Sequence, residues 1–385
     1  MKNAMSLSRP TCLSVSRSIS KKMKLAPVIG ALAVSGVAQA GELYSDENGK
    51  LSYFGLINLG VQSRALSSQD SELQVDSNMM TTSYFGLKGE AKITDSLTAK
   101  AEVASFIQFD KGESTRGINN EGLYSRFAWG GLEGDFGTVK AGRVTSLNFI
   151  NTVVFNPFFN SSAYSPSFMH SYVGSPAQPM ATGSGATDSS WNNAINYTLP
   201  KLGKVSIGVM AAPDEGGTTG ERVGASVSMM GFPFAIMATA EKISGATLTY
   251  PLGFTSIAGS TPPFTAQDFS VYQLGSWYDF KSVKLYGQVS KTEVEGTRLS
   301  TDQDYSLNTV QLGASAPVGN GAFKASFAST TMERSWAKDL ERETLTLGYD
   351  HNLSKQAVWF TRLMQDKVTD QKSGISYGTG VSYKF

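Results

Sequence analysis

An all-β transmembrane barrel of sixteen antiparallel strands, wound as an up-and-down meander with its third external loop folded inward, is the fold this sequence predicts. Three observations point to it. Segments of about ten residues carry apolar side chains at every second position. The connections between them alternate short and long. The chain opens with an export signal, and its charged content of 17% lies below the soluble average of about 25%.

Residues 1–40 contain Lys2, Arg9, Arg17, Lys21, Lys22 and Lys24 and no acidic residue, followed by an apolar stretch from Leu25 to Val37 and by Ala38-Gln39-Ala40. This is the pattern of a signal peptide cleaved after Ala40, which leaves one barrel domain over residues 41–385. Met23 would open a compact signal by itself. The apolar stretch is shorter than the roughly 20 residues of a spanning helix. Cleavage removes six basic residues and turns a formal charge of +1 into −5. It also removes Cys12, the only cysteine, and leaves His170 and His351 as the only histidines. Disulfide frameworks, cysteine zinc sites and thiol nucleophiles are thereby excluded, and no cofactor or metal is expected. The near balance of charge gives no reason to expect a nucleic-acid partner.

No apolar run in residues 41–385 is long enough for a membrane helix; the best, Val227 to Ala240, is interrupted by Gly231 and Pro233. Alternation is clearest at the C-terminus, where Ile375, Tyr377, Val381, Tyr383 and Phe385 interleave with Ser376, Gly378, Gly380, Ser382 and Lys384. Phe85, Leu87, Ala91 and Ile93 alternate in the same way with Tyr84, Lys88, Glu90 and Lys92, as do Leu97, Ala99, Ala101 and Val103 with Lys100 and Glu102. A soluble sandwich shares this alternation, so the connections decide.

Short turns fall at Thr94 to Ser96, Glu133 to Asp135, Pro200 to Gly203, Gly231 to Pro233, Phe280 to Ser282, Pro317 to Gly321 and His351 to Lys355. They alternate with longer polar stretches near 65–79, 111–121, 144–190, 213–220, 245–268, 294–305, 332–342 and 366–373. Seven turns and eight loops join sixteen strands and place both termini on the short-turn side, the arrangement of an outer-membrane barrel. Tyr53, Phe85, Phe109, Phe127, Trp129, Tyr197, Tyr383 and Phe385 are expected in the two aromatic girdles.

A sixteen-stranded barrel is too wide for its own side chains to fill, so its lumen is expected to hold water. The stretch 144–190 is rich in Phe149, Phe155, Phe158, Phe159, Tyr164, Phe168 and Tyr172, rings that would be buried by folding inward against the wall.

Ser83-Tyr84-Phe85-Gly86-Leu87-Lys88-Gly89-Glu90, then Gly131-Leu132-Glu133-Gly134-Asp135-Phe136-Gly137-Thr138-Val139-Lys140-Ala141-Gly142-Arg143, then Gly348-Tyr349-Asp350-His351-Asn352-Leu353-Ser354-Lys355 and the terminal Phe385 resemble the Gram-negative general porins. The likeness runs over the whole of residues 41–385. It implies an outer-membrane homotrimer through which small hydrophilic solutes and ions diffuse passively, with basic residues facing acidic ones across an eyelet. It also implies a C-terminal strand, ending in Phe385, that the barrel-assembly machinery reads, and a neighbour gripped by the loop from Lys111 to Glu121 through Glu113 and Arg116. Outer-membrane lipid and lipopolysaccharide are the expected surroundings.

Position by position, Arg143 matches the arginine that projects into the eyelet at the end of the fifth strand. Its parity with Val139 and Ala141 would face lipid, so the chain must be leaving the wall there. Lys88, Lys92, Lys100, Arg126 and Lys140 against Glu90, Glu102 and Asp110 are further inward candidates, with Tyr84, Asn151, Asn156 and Phe158 at the constriction. Two departures stand out. Many relatives carry Arg where Tyr84 stands, and residues 144–187 hold no Asp or Glu. An eyelet with basic residues and no acidic loop predicts weak ion selectivity, leaning toward anions.

Two other functions compete. Asn148, Asn151, Asn156 and Asn160, interleaved with rings, would suit a channel selective for a sugar or another polar solute. Loop acids such as Asp302, Asp304, Asp339, Glu341 and Glu343 would suit a non-conducting structural or adhesive barrel. An enzyme is not expected, since no H-E-x-x-H, P-loop or Rossmann pattern occurs and the one G-x-S-x-G match, Gly374-Ile375-Ser376-Tyr377-Gly378, lies within the alternating C-terminal segment and opens no helical pattern.

Overall fold

The computed structural model describes residues 41–116, 121–173, 188–214, 220–250 and 264–385. The signal peptide expected at 1–40 lies outside them. Nineteen strand segments form one closed sheet in which all neighbours run antiparallel. Three short segments, Gly41–Ser45, Glu72–Asp76 and Leu248–Tyr250, extend neighbouring strands, so the barrel has sixteen staves. Closure pairs every wall strand on both edges, so no ladder N–H or C=O is left facing hydrocarbon.

The seam joins Gly374–Lys384 to Gly49–Arg64, running from Tyr377 opposite Ser63 to Lys384 opposite Leu56. Phe385 and Gly55 exchange both backbone hydrogen bonds, at 2.9 and 3.1 Å. Below that point Gly41–Ser45 takes over the same edge, with Gly41 opposite Tyr53. Along Gly374–Lys384, Ile375, Tyr377, Val381 and Tyr383 are exposed to the outside while Ser376, Gly378 and Ser382 are buried within, as the alternation predicts.

The wall is uneven in height. Strands between Tyr84–Thr94 and Phe234–Ser244 have 8 to 11 residues, whereas those from Phe264–Asp279 to Ala337–Asn352 have 14 to 18. The seven short turns stand where the sequence puts them, but two stretches expected to be long loops are not loops. Lys284–Arg298 continues to Thr301–Val318 through Leu299 and Ser300, both at positive φ of 53° and 58°. Gly321–Arg334 likewise joins Ala337–Asn352 through Ser335 and Trp336 alone. Above the bilayer both faces of a sheet meet water, so the alternation disappears from the sequence although the ladder continues.

Two expected girdle residues also face the other way. Leu132 is exposed on the outer face, so Trp129 and Phe127 of the strand Phe127–Gly134 point inward by parity. There Phe127 stacks on Phe54, with ring centroids 6.3 Å apart. Tyr53, Phe85, Phe109 and Tyr383 do lie exposed on the outer surface.

Candidate pore constriction

Between the strands Gly137–Thr145 and Ser190–Thr198 the chain forms two short helices, α1 (Leu147–Val154) and α2 (Pro166–Tyr172), packed against inward-facing wall residues. Ser146 starts α1: its Oγ accepts the N–H of Phe149 at 3.1 Å. The first turn holds no acidic residue, and the wall supplies one, since the carboxylate of Glu241 accepts the N–H of Asn148 at 2.8 Å.

Asn151 Nδ2 donates to Met237 O, Thr239 Oγ1 and Gln273 O at 3.1 to 3.3 Å. Thr152 Oγ1 donates to Gln273 Oε1 at 3.0 Å. Asn156 folds the following turn onto itself: Nδ2 donates to Thr152 O and Phe159 O, while Oδ1 accepts from Phe158 N and Ser165 Oγ. Two wall glycines make room for this path. A Cβ on Gly275 would lie 2.3 Å from Asn151 Oδ1, and one on Gly313 would lie 2.6 Å from Pro157 Cδ. Phe149, Phe168 and Tyr172 lock α1 to α2, with ring centroids 5.2 to 5.7 Å apart.

His170 fixes α2 to the far wall, its Nδ1 and Nε2 each 2.8 Å from a hydroxyl, Thr330 Oγ1 and Thr344 Oγ1. Burial, then the nearby Arg342 cation, hold this imidazole well below its ordinary value of 6.5, against the opposing pull of Asp366. The docked helix therefore favours neutral histidine. Its stabilisation is complete above about pH 6.5 and falls by up to about 1.4 kcal/mol per pH unit below that. Open-channel noise is expected to rise on acidification from pH 7 to 5 in the wild type and to change far less in His170→Gln. Equal acid responses in bilayer recordings would refute this.

Between the loop and the wall lies a free space of about 220 Å³. On the loop side stand Phe149, Val153, Phe159 and Asn160; on the wall side stand Tyr84, Phe106, Arg126, Phe127 and Ser190, with Lys384 completing the ring. The Arg126 guanidinium lies 3.8 Å from the centroid of the Tyr84 ring. It makes no ion pair among the described residues, and its Nε has no hydrogen-bond acceptor. Arg126 thus brings a cation to the ring of Tyr84, the position at which the resemblance implies an arginine.

Other residues expected at the constriction are elsewhere. Asn151 and Asn156 are fully buried, because the amide of Asn151 anchors α1 to wall-strand oxygens and that of Asn156 satisfies backbone groups of its own turn. Phe158 is buried too, 5.2 Å from the guanidinium of Arg362. Asn148 is likewise covered, its Nδ2 on Tyr172 Oη at 3.2 Å. Of the four asparagines weighed for a sugar track, only Asn160 borders the space.

Arg143 is absent from the eyelet rim as well. The register shifts between Gly142 and Val144, a bulge with Gly142 at φ +128°, and this re-aims the side chain. Its guanidinium donates to Ser125 O, Ser190 O and Asn192 Oδ1 and pairs with Asp188 at 2.8 Å. Asp188 also holds Arg116 at 2.8 Å, and Arg116 holds Glu121 at 2.6 Å. The loop thus has its carboxylate one residue beyond the stretch that lacks one. Arg116, expected to grip a neighbouring subunit, is buried against its own barrel, 5.1 Å from the Phe106 ring.

Lower on the wall the inward charges largely compensate one another. Lys88 pairs with Glu90 at 2.9 Å and Lys100 with Glu133 at 2.8 Å. Glu102 stands opposite Lys88 in the ladder, and Lys140 Nζ lies 4.0 Å from the Trp129 ring. The far wall holds a second set that the sequence reading misses: Asp350 binds Lys324 at 2.6 Å and Arg362 at 2.5 Å, and Asp366 binds Arg342 at 2.9 Å. Parity was the available signal, since exposed Phe323 and Leu363 oblige Lys324 and Arg362 to face in.

A family model described as Gram-negative porin matches residues 27–371. The chain belongs to the Gram-negative porin family. This porin is 27% identical over 347 residues to outer membrane porin protein 32 of Delftia acidovorans, a match covering 87% of each chain. Its fold is similar to that of a solved anion-selective porin from Comamonas acidovorans, with a TM-score of 0.70 and 23% identity over 88% of this chain and all of the other. It is also similar to OmpT of Vibrio cholerae, with a TM-score of 0.66 and 12% identity over 90% of this chain and all of the other. The porin is a channel of the Gram-negative outer membrane.

Proposed function

We propose that this porin passes small hydrophilic solutes and ions down their gradients with a mild preference for anions, and that it catalyses no reaction. The observation that carries the preference is the eyelet ring, where Arg126 and Lys384 stand with no carboxylate among the described lining residues. Lower wall charges are compensated in pairs and add little bias. The Comamonas acidovorans porin, with the same fold, bears the description anion-selective, which supports the reading.

Reversal potentials under a salt gradient test it. A unit charge about 7 Å from the ion path in water is worth about 0.6 kcal/mol, close to a threefold change in local ion concentration. Anions lose and cations gain by that factor, so Arg126→Gln is expected to lower the anion-to-cation permeability ratio about sevenfold. A strongly cation-preferring wild type would overturn the proposal, and correctly folded protein without conductance would favour a structural or adhesive barrel.

The same proposal includes export through residues 1–40, recognition of the strand ending in Phe385 by the barrel-assembly machinery, and a homotrimer. With Arg116 held within its own barrel, subunit contact falls to the wall, where Ala101, Gly130 and Ala141 leave the outer face flat. Exposed Glu295, Asp304 and Glu333 on the tall hairpins stand at the level of lipopolysaccharide headgroups.

A further inference from the structure

Phe159 is costly where it stands. Its φ of +50° places a bulky residue in the left-handed region, which side chains rarely adopt. Its ring is 39% exposed, whereas the adjacent Phe158 is buried and already secures the turn. Lys324 Nζ lies 5.3 Å from the Phe159 ring centroid, and the ring also borders the eyelet. Across that space stands Arg126, backed by Tyr84, with an Nε that has no acceptor.

The surroundings are apolar for a water-filled aperture: Phe149 and Val153 flank Phe159 on the loop. A cavity of about 150 Å³ with such a lining accepts benzene. The 220 Å³ here accommodates one ring with a small polar group attached. A guanidinium edge favours a carboxylate, which it can hold through two parallel hydrogen bonds. A ring face meets another ring or an apolar wall.

We propose that the eyelet is a binding site for small aromatic monocarboxylates, held between the Phe159 ring and the Arg126 guanidinium. The site rests on the channel function and refines it: aromatic acids are retained briefly at the aperture and pass through as a saturable class. Sugars fit less well, because Asn151 and Asn156 are turned away from the space. Aliphatic acids meet the same cation but gain nothing from the rings.

The test is planar-bilayer recording of the mature barrel in symmetrical potassium chloride, with benzoate, acetate or benzyl alcohol added. Benzoate is expected to reduce the current at a concentration about tenfold below that of acetate, and benzyl alcohol to do so weakly. Phe159→Ala is expected to bring benzoate and acetate to parity. Arg126→Lys keeps the charge but loses the planar fork, and should weaken benzoate block several-fold. Phe327→Ala, on the lipid face, controls for general effects of ring removal. Equal block by benzoate and acetate in the wild type, or undiminished preference in Phe159→Ala, would overturn the site while leaving the channel intact. Folded protein with no current at all would instead overturn the channel function beneath it.

Discussion

Asp188→Asn is expected to destabilise the folded barrel by about 3 to 5 kcal/mol, the range found when one partner of a buried ion pair is removed. Asp188 is the shared counter-charge of Arg116 and Arg143, each at 2.8 Å, and all three side chains are largely buried. Asparagine keeps the shape and removes the charge, leaving two guanidiniums facing one another. Burial opposes ionisation of Asp188, yet Arg116 and Arg143 together hold its carboxyl below the ordinary range. Its contribution is accordingly present above about pH 3.9 and is lost only as the pH falls through that lowered value. The urea midpoint of the folded protein in detergent micelles measures the effect. Adding Arg143→Met should recover part of the loss, since Arg143 pairs with no other carboxylate among the described residues whereas Arg116 keeps Glu121; identical midpoints for wild type and Asp188→Asn would refute the assignment.

Gly275→Leu is expected to push α1 off the wall. The new Cβ would lie 2.3 Å from Asn151 Oδ1 and 2.5 Å from Phe155 Cδ2, closer than any side chain tolerates. Displacement breaks the three hydrogen bonds of Asn151 Nδ2, each worth about 0.5 to 1.5 kcal/mol, and exposes the fully buried Phe155 at about 1.5 to 3 kcal/mol. The predicted signature is a larger and unsteady single-channel conductance. Gly287→Ala is the control, because only Ser276 Oγ approaches that site, at 3.9 Å. A quiet wild-type conductance in Gly275→Leu would show that the loop does not depend on this seat.

The wall was legible because lipid on one side and water on the other impose a period of two, as along Gly374–Lys384. Where that contrast ends, so does legibility: Leu299 and Ser300 form a tight turn inside what reads as a polar loop. Phe127 and Trp129 were misread because an aromatic suits either a girdle or a narrow lumen, and only the parity of Leu132 separates the two. Alternation brought Lys88 and Glu90 forward, and the resemblance brought Arg143. It could not tell that Arg143 would be claimed by Asp188, a partner across the whole loop, or that a one-residue bulge would turn it. Asn151 and Asn156 show the same limit, since an amide that binds solute and one that binds the protein's own wall or turn look alike in sequence.

The seam between Gly374–Lys384 and Gly49–Arg64 has a consequence in time. It joins segments as distant as Ala65 and Ser376, 311 positions apart, so the edge of one of the first strands to emerge stays bare until one of the last arrives. Contacts of such separation form slowly, and a bare strand edge invites pairing with the wrong chain. A sheet that ends as a ring must therefore spend its assembly as a ribbon with two sticky margins.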